Sequence, residues 1–138
     1  MVRFSDLRVS LAVCTAMAGW GLFTAFTTLP LVGQEVFHRG QNVVPVYEGW
    51  ETNADGSFDL VFGYLNRNYE EHLHVPVGPN NMLEPGNLDQ QQPTFFFPRR
   101  HRFIFRIRVP KDFRDKEIVW TLTAHGRTEK AYATLLPD

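Results

Sequence analysis

The chain has 138 residues, of which 43% are hydrophobic and 21% are charged, and its formal net charge is -1. This length accommodates one packed domain and a short additional segment, and the hydrophobic content excludes a disordered protein. The single cysteine, Cys14, excludes an intramolecular disulfide, a zinc site built from paired cysteines and a haem attached through two cysteines.

The N-terminal third of the chain has the composition of a membrane anchor. Residues 1–10 carry Arg3 and Arg8, and residues 11–33 then run without a charge. About 20 helical residues cover about 30 Å, the thickness of the hydrocarbon core of a bilayer. We therefore predict a transmembrane helix at 11–33 that acts as an uncleaved signal anchor. The two arginines place residues 1–10 in the cytoplasm and the remainder in the periplasm, so the expected location is the inner membrane.

A cleaved secretory signal is the alternative interpretation of this segment. Signal cleavage requires small residues at the first and third positions before the cut bond. Cleavage after Gly33 would place Leu31 at the third position, and cleavage after Thr28 would place Phe26 there. Neither arrangement fits, so the sequence favours retention of the anchor.

The predicted helix is rich in small residues spaced four apart. Such residues allow two membrane helices to approach closely, which favours association with other helices in the bilayer. The segment contains no histidine, the usual axial ligand of chlorophyll or haem. The residues expected to contact neighbouring membrane subunits are Ala12, Thr15, Ala16, Gly19, Gly21 and Ala25.

The pattern changes after a predicted linker at 34–42. Polar and apolar residues then alternate, and Asp55-Gly56 indicates a hairpin turn. We predict strands at 43–51, 57–66, 71–77, 94–97, 101–109, 117–125 and 128–135. Seven short strands and no convincing soluble helix predict an all-β fold, an antiparallel immunoglobulin-like or fibronectin-like β-sandwich that occupies residues 43–138.

The stretch at 77–93 is polar and too long for a tight turn. Long ordered loops on a rigid sandwich are common binding sites. We therefore expect Met82, Leu83 and Phe96, in and next to this loop, to be exposed anchors for a protein partner.

The stretch PTFFFPRRHRFIFRIRVP at 93–110 combines aromatic and basic residues. Strict alternation predicts that His101, Phe103, Phe105, Ile107 and Val109 face the core. Arg100, Arg102, Ile104, Arg106 and Arg108 would then face outward. The four arginines pair either with the acidic residues concentrated at 35–89 or with carboxylates of a partner.

His72 and His74 are the strongest candidates for chemistry. Residues two apart in a strand share a face, so both imidazoles could bind one metal ion, and Glu70 would share that face. A periplasmic metal-binding or ligand-binding domain, or an enzyme that uses these histidines, is therefore an alternative function. The sequence contains no recognisable nucleophile motif and no phosphate-binding loop, and the periplasmic location and balanced charge argue against nucleic-acid binding.

Several runs of sequence carry a resemblance to known proteins. PVYEGWETNADGSFDLVFGYLNRN, VPVGPNNMLEPGNLDQQQPTFFFPRR and KEIVWTLTAHGRTEKAYATLLPD resemble a family of small, uncharacterised bacterial cell-envelope proteins. This resemblance implies an exported β-rich domain and supplies no catalytic residues. In its helix with a packing face, its lack of pigment ligands and its extracytoplasmic domain, the chain is also similar to accessory single-helix subunits of bacterial photosynthetic reaction centre and light-harvesting complexes, which implies a role in such an assembly.

Together these patterns predict a non-catalytic, membrane-anchored accessory subunit without a cofactor. It would stabilise a larger membrane complex through helix packing in the bilayer and through periplasmic contacts with other subunits. A secreted interaction module is the expectation if the N-terminal segment is cleaved.

Overall fold

The computed structural model describes residues 36–136. The predicted membrane helix at 11–33, with its proposed packing residues, lies outside the described residues. Among residues 36–136 no helix is long and apolar enough to cross a membrane. The eight strands are β1 (Val43–Thr52), β2 (Phe58–Asn66), β3 (Leu73–His74), β4 (Asn81–Glu84), β5 (Phe95–Phe96), β6 (Arg99–Val109), β7 (Glu117–Ala124) and β8 (Arg127–Thr134).

The strands form two three-stranded antiparallel sheets and one short ribbon. One sheet has the order β1-β2-β6, and the other has the order β4-β7-β8. The ribbon consists of β3 and β5, in which Leu73 pairs with Phe96 and His74 with Phe95. The predicted all-β, antiparallel character of the described region is confirmed.

Aromatic rings join the inner faces of the two larger sheets. Trp120 of β7 is fully buried and meets Phe62 of β2 and Phe105 of β6 edge-on, with ring centroids 6.0 and 4.9 Å apart. Ile118, Leu122 and Ala124 lie on the same face of β7 as Trp120 and are buried, as the period-two pattern predicts. Such edge-on pairs contribute about 0.5–1.5 kcal/mol each beyond the burial of their area.

The predicted loop at 77–93 contains strand β4. Asn81 and Leu83 face inward and are almost fully buried, and Phe96 of β5 is fully buried beside Trp120. The expected exposure of Leu83 and Phe96 is therefore wrong. Pairing of β4 with β7 turns Leu83 toward the core, and Phe96 faces the core from β5, next to the exposed Phe95. Met82 is half-buried.

Side-chain amides fix the rest of this loop. The Asn81 amide donates to the carbonyl oxygens of Val75 and Pro93, and its oxygen accepts from the Trp120 indole N–H at 2.9 Å. Gln90 and Gln92 donate to further loop carbonyls. Because backbone groups that no strand pairs are satisfied in this way, the loop is ordered without regular structure.

Residues 36–42, which we predicted to be a linker, are docked against the loop between β2 and β3. The backbone N–H of Tyr69 donates to the carbonyl oxygen of Phe37, and that of Arg67 donates to Asn42. The N–H of Gly40 donates to the Glu71 carboxylate at 2.6 Å. The described part of the predicted linker is therefore bonded to the domain.

Candidate interaction site on strand β6

The alternation predicted along β6 is interrupted near its middle. Phe62 of β2 pairs with Phe105, whereas Tyr64 pairs with His101, so Arg102–Ile104 lie opposite Gly63. The strand therefore contains a bulge, which we call the β6 bulge, at residues 102–104. Bulges bend a strand and re-aim its side chains, and they are frequent at functional sites.

Phe103, at the centre of the β6 bulge, was predicted to lie in the core, and this prediction is wrong. Its side chain is 57% exposed and its φ is +56°, in the left-handed region that bulky residues rarely adopt. Ile104 is 42% exposed, on the outer side as predicted. The fold thus exposes two adjacent apolar side chains to solvent, and the backbone of Phe103 is strained.

Gly63 provides the space that the bulge requires. A Cβ at this position would overlap the carbonyl oxygen of His101 and the carboxylate of Glu48, and would lie 3.0 Å from the Cα of Arg102. Strand β1 is also irregular here, because its register with β2 shifts between Tyr47 and Gly49. The Glu48 carboxylate of β1 and the backbone of β6 therefore both approach Gly63 closely, which is possible because this residue has no side chain.

An ion pair spans the sheet at this point. The Arg100 Nη2 donates to the Glu48 carboxylate at 2.6 Å, and Nη1 donates to the carbonyl oxygens of Tyr64 at 3.2 Å and His101 at 3.3 Å. The Glu48 side chain is only 11% exposed and that of Arg100 is 30% exposed. A partly buried, charge-assisted pair of this kind holds β1 and β6 against Gly63.

The other arginines of the predicted stripe differ in their partners. Arg106 donates to Glu51 at 3.2 Å, and Arg108 donates to Asp59 at 3.1 Å. Together with Arg100, these residues pair within the domain. Arg102 is exposed and has no carboxylate partner among residues 36–136.

The exposed ion pairs shift the pKa values of their members in favour of the charged forms. The Arg108 guanidinium is the main cause that lowers the pKa of Asp59, with a further hydrogen bond from Asn53. The same pairing with Asp59 raises the pKa of Arg108, and pairing with Glu51 raises the pKa of Arg106. Carboxylates of the same domain therefore stabilise the charged forms of Arg106 and Arg108.

His72 and His74 lie on one exposed face of the β3–β5 ribbon, but their neighbours are aromatic. The His72 ring meets Phe97 at 5.2 Å and the His74 ring stacks on Phe95 at 4.9 Å between centroids. Glu70 lies 3.0 Å from His38. Within the described part of the chain, no three His, Cys, Asp or Glu side chains are placed to hold a metal ion.

The sequence did not identify Gly63 and Glu48 as residues of this site, and its alternation placed Phe103 in the core. A glycine inside an otherwise apolar strand indicates a bulge or a close backbone approach, so Gly63 was the available signal. The signal does not specify which neighbouring strand bulges. The position of Phe103 therefore required the observed register.

Comparison of the chain with protein-family models, with curated proteins and with solved structures finds no match.

Proposed function

We propose that the protein is a non-catalytic, membrane-anchored accessory subunit that contacts a protein partner through the β6 bulge. The observation that carries this proposal is Phe103, an exposed aromatic side chain held at positive φ. Holding a non-glycine residue in such a conformation costs about 1–3 kcal/mol. A fold that maintains this cost at an exposed position gains nothing in its own core, so the benefit is expected in binding.

The chemistry of the bulge suits a protein–protein contact. Arginine and aromatic residues are enriched among the residues that dominate binding energy at interfaces. Phe103 supplies apolar area, and Arg102 supplies a guanidinium that no carboxylate of the described domain neutralises. Because the backbone is fixed by Gly63 and by the Glu48–Arg100 pair, little conformational entropy is lost when a partner binds.

The topology supports an interaction role. The sheets β1-β2-β6 and β4-β7-β8 correspond in order to the A-B-E and C-F-G sheets of an immunoglobulin-like sandwich. We therefore propose the immunoglobulin-like assignment for the domain. Folds of this kind are common in cell-surface domains, although the fold alone does not define a function.

The anchoring part of the proposal depends on the sequence of the N-terminal segment. An uncharged run at 11–33 supports a single-pass anchor in the inner membrane with the domain in the periplasm. Its small residues support packing against helices of a larger complex. The resemblance to accessory subunits of photosynthetic reaction centre and light-harvesting complexes nominates that assembly as the first complex to examine.

The decisive variant is Phe103→Asn. Asparagine tolerates positive φ better than phenylalanine, so this change removes the ring without disturbing the bulge. We expect the variant to remain in the membrane fraction and to unfold at or above the wild-type temperature. Its partner subunits, identified by mass spectrometry after purification in mild detergent, should be lost or strongly reduced.

Tyr132→Asn is the matched control, because Tyr132 is 56% exposed on β8, in the other sheet. It should leave co-purification unchanged. Unchanged partner recovery with Phe103→Asn would contradict the role of the bulge. Recovery of the wild-type chain from the soluble fraction, shortened at its N-terminus, would contradict the anchor.

A further inference from the structure

A second surface lies at the end of the domain where the chain enters the described region. We call residues 36–41, 67–74, 95–99 and 125–127 the proximal end. Its parts are connected, since Tyr69 bonds to Phe37, the Arg99 guanidinium lies 3.8 Å from the centre of the Tyr69 ring, and His125 lies 3.2 Å from Glu71. The proximal end is therefore one continuous surface.

This surface is aromatic. Tyr69 and Phe37 are 39% and 41% exposed, and Phe97 and Phe95 are 51% and 53% exposed. Phe95 of the ribbon and Phe97 just after it face outward beside histidines, while Leu73 and Phe96 of the ribbon face the core. Four amphipathic or apolar rings thus emerge from one end of the domain.

The proximal end is also basic. Its acidic residues are Glu70 and Glu71, and both contact histidines, His38 and His125. Within residues 36–136, none of the arginines of this surface has a carboxylate partner. These arginines are Arg39, Arg67, Arg99 and Arg127.

The chain length before this surface limits its distance from the bilayer. Residues 36–42 are bonded to the domain, so Gln34 and Glu35 alone separate the docked segment from the uncharged run that ends at Gly33. The three links from residue 33 to residue 36 reach at most about 11 Å when fully extended. A chain anchored at 11–33 would therefore enter the domain at its proximal end.

We infer that the proximal end of the domain rests on the lipid headgroup layer of the bilayer. This inference depends on the membrane anchoring proposed above and adds a defined orientation of the domain. Aromatic rings are enriched at the headgroup level, and arginine is attracted to anionic lipid. In this orientation the proximal end contacts the headgroups. The β6 bulge lies farther along the sheet, where it is accessible to a protein partner.

The test uses the full chain in lipid nanodiscs that contain phosphatidylcholine and phosphatidylglycerol, with a nitroxide on the headgroup of a fraction of the lipid. A fluorophore is attached to Phe97→Cys in a Cys14→Ser background. The matched control carries it at Asp115→Cys, in the exposed turn before β7. A ten-residue strand is about 33 Å long, so the control site should lie far from the headgroups.

We expect strong nitroxide quenching at position 97 and none at position 115. Arg67→Glu should weaken quenching at 97, whereas Lys116→Glu, at the far end, should not. Equal quenching at the two sites in a chain that co-elutes with nanodiscs would overturn the orientation and leave the anchor intact. A chain that does not co-elute with nanodiscs would overturn the anchor and the orientation together. If the fluorophore at position 97 were shielded from solvent in native membranes but not in pure lipid, a protein would be the occupant of this surface. That result would also overturn the inference.

Discussion

The ion pair between Glu48 and Arg100 should be the most sensitive electrostatic contact in the domain. Arg100→Met keeps much of the side chain's apolar length but removes all three hydrogen bonds that the guanidinium makes. The Glu48 carboxylate, with a side chain only 11% exposed, would then be left without a cation. Removing one partner of a buried pair costs about 3–5 kcal/mol, and the partial exposure of Arg100 reduces the expected loss to about 3 kcal/mol.

The reverse substitution should cost less. In Glu48→Gln the amide oxygen still accepts a hydrogen bond, and the half-buried guanidinium of Arg100 keeps its two carbonyl acceptors, so we expect a loss of about 1–2 kcal/mol. The double variant should lose less than the sum of the single variants, with a coupling energy of about 1–2 kcal/mol. A loss of 3 kcal/mol corresponds to roughly 12–24 °C in melting temperature for a domain of this size.

The assay is urea unfolding of the full chain in mild detergent, monitored by the circular dichroism signal of the β-structure. Arg106→Met, which breaks the exposed pair with Glu51, is the control and should have a much smaller effect. If Arg100→Met is no more destabilising than Arg106→Met, or if the coupling energy is zero, the Glu48–Arg100 pair behaves as a surface pair. The account of how the β6 bulge is held would then be wrong.

Three further changes test other parts of the structure. Gly63→Ala places a Cβ against the β6 backbone and should cost about 1–3 kcal/mol in urea unfolding, whereas unchanged stability would show that the strands can move apart. Because Arg108 lowers the folded-state pKa of Asp59, that carboxylate stabilises the fold above its unfolded pKa of about 3.9 and loses this effect as the pH falls. Asp59→Asn should therefore reduce stability at neutral pH and flatten its decline below pH 4, as measured by thermal melts across pH. Trp120→Phe removes the indole donor to Asn81 and should cost about 1–3 kcal/mol, with faster amide exchange in β4; unchanged exchange would contradict the role of this bond.

Period-two alternation was sufficient to predict the regular strands. Along β7, for example, Ile118, Trp120, Leu122 and Ala124 occupy every second position, and all four are buried as expected. The pattern failed where a strand contains extra residues. Two additional positions in β6 reverse the direction of Phe103, and no property of that residue alone reveals the change, because a phenylalanine suits the core equally well.

The predicted exposure of residues in the loop at 77–93 was wrong for a different reason. Its polar residues suggested solvent exposure, but Asn81 and Gln92 are buried, and their amides donate hydrogen bonds to backbone carbonyl oxygens in and next to the loop. A buried amide and a solvated amide have the same sequence signature. The sequence therefore did not predict the short strand β4, which begins at Asn81, or the burial of Leu83.

The candidate site was predictable in part. The sequence identified the arginines of β6 and posed two alternatives, internal pairing or a partner. The structure assigns three of them internal partners on β1 and β2, strands that lie in the acidic part of the chain. It leaves Arg102 without one because the bulge displaces this residue from the register that brings Arg106 and Arg108 to their carboxylates.

The bonds between residues 36–42 and the β2–β3 loop also determine how the domain responds to mechanical force. β1 is the edge strand of the sheet β1-β2-β6 and follows directly after these bonded residues. Tension applied from the N-terminal side reaches the bonds at Phe37, His38 and Gly40 before it reaches Val43. A load on the N-terminal segment is therefore transmitted to the loop at 66–71 first. The pairing of β1 with β2 is loaded only after these bonds break.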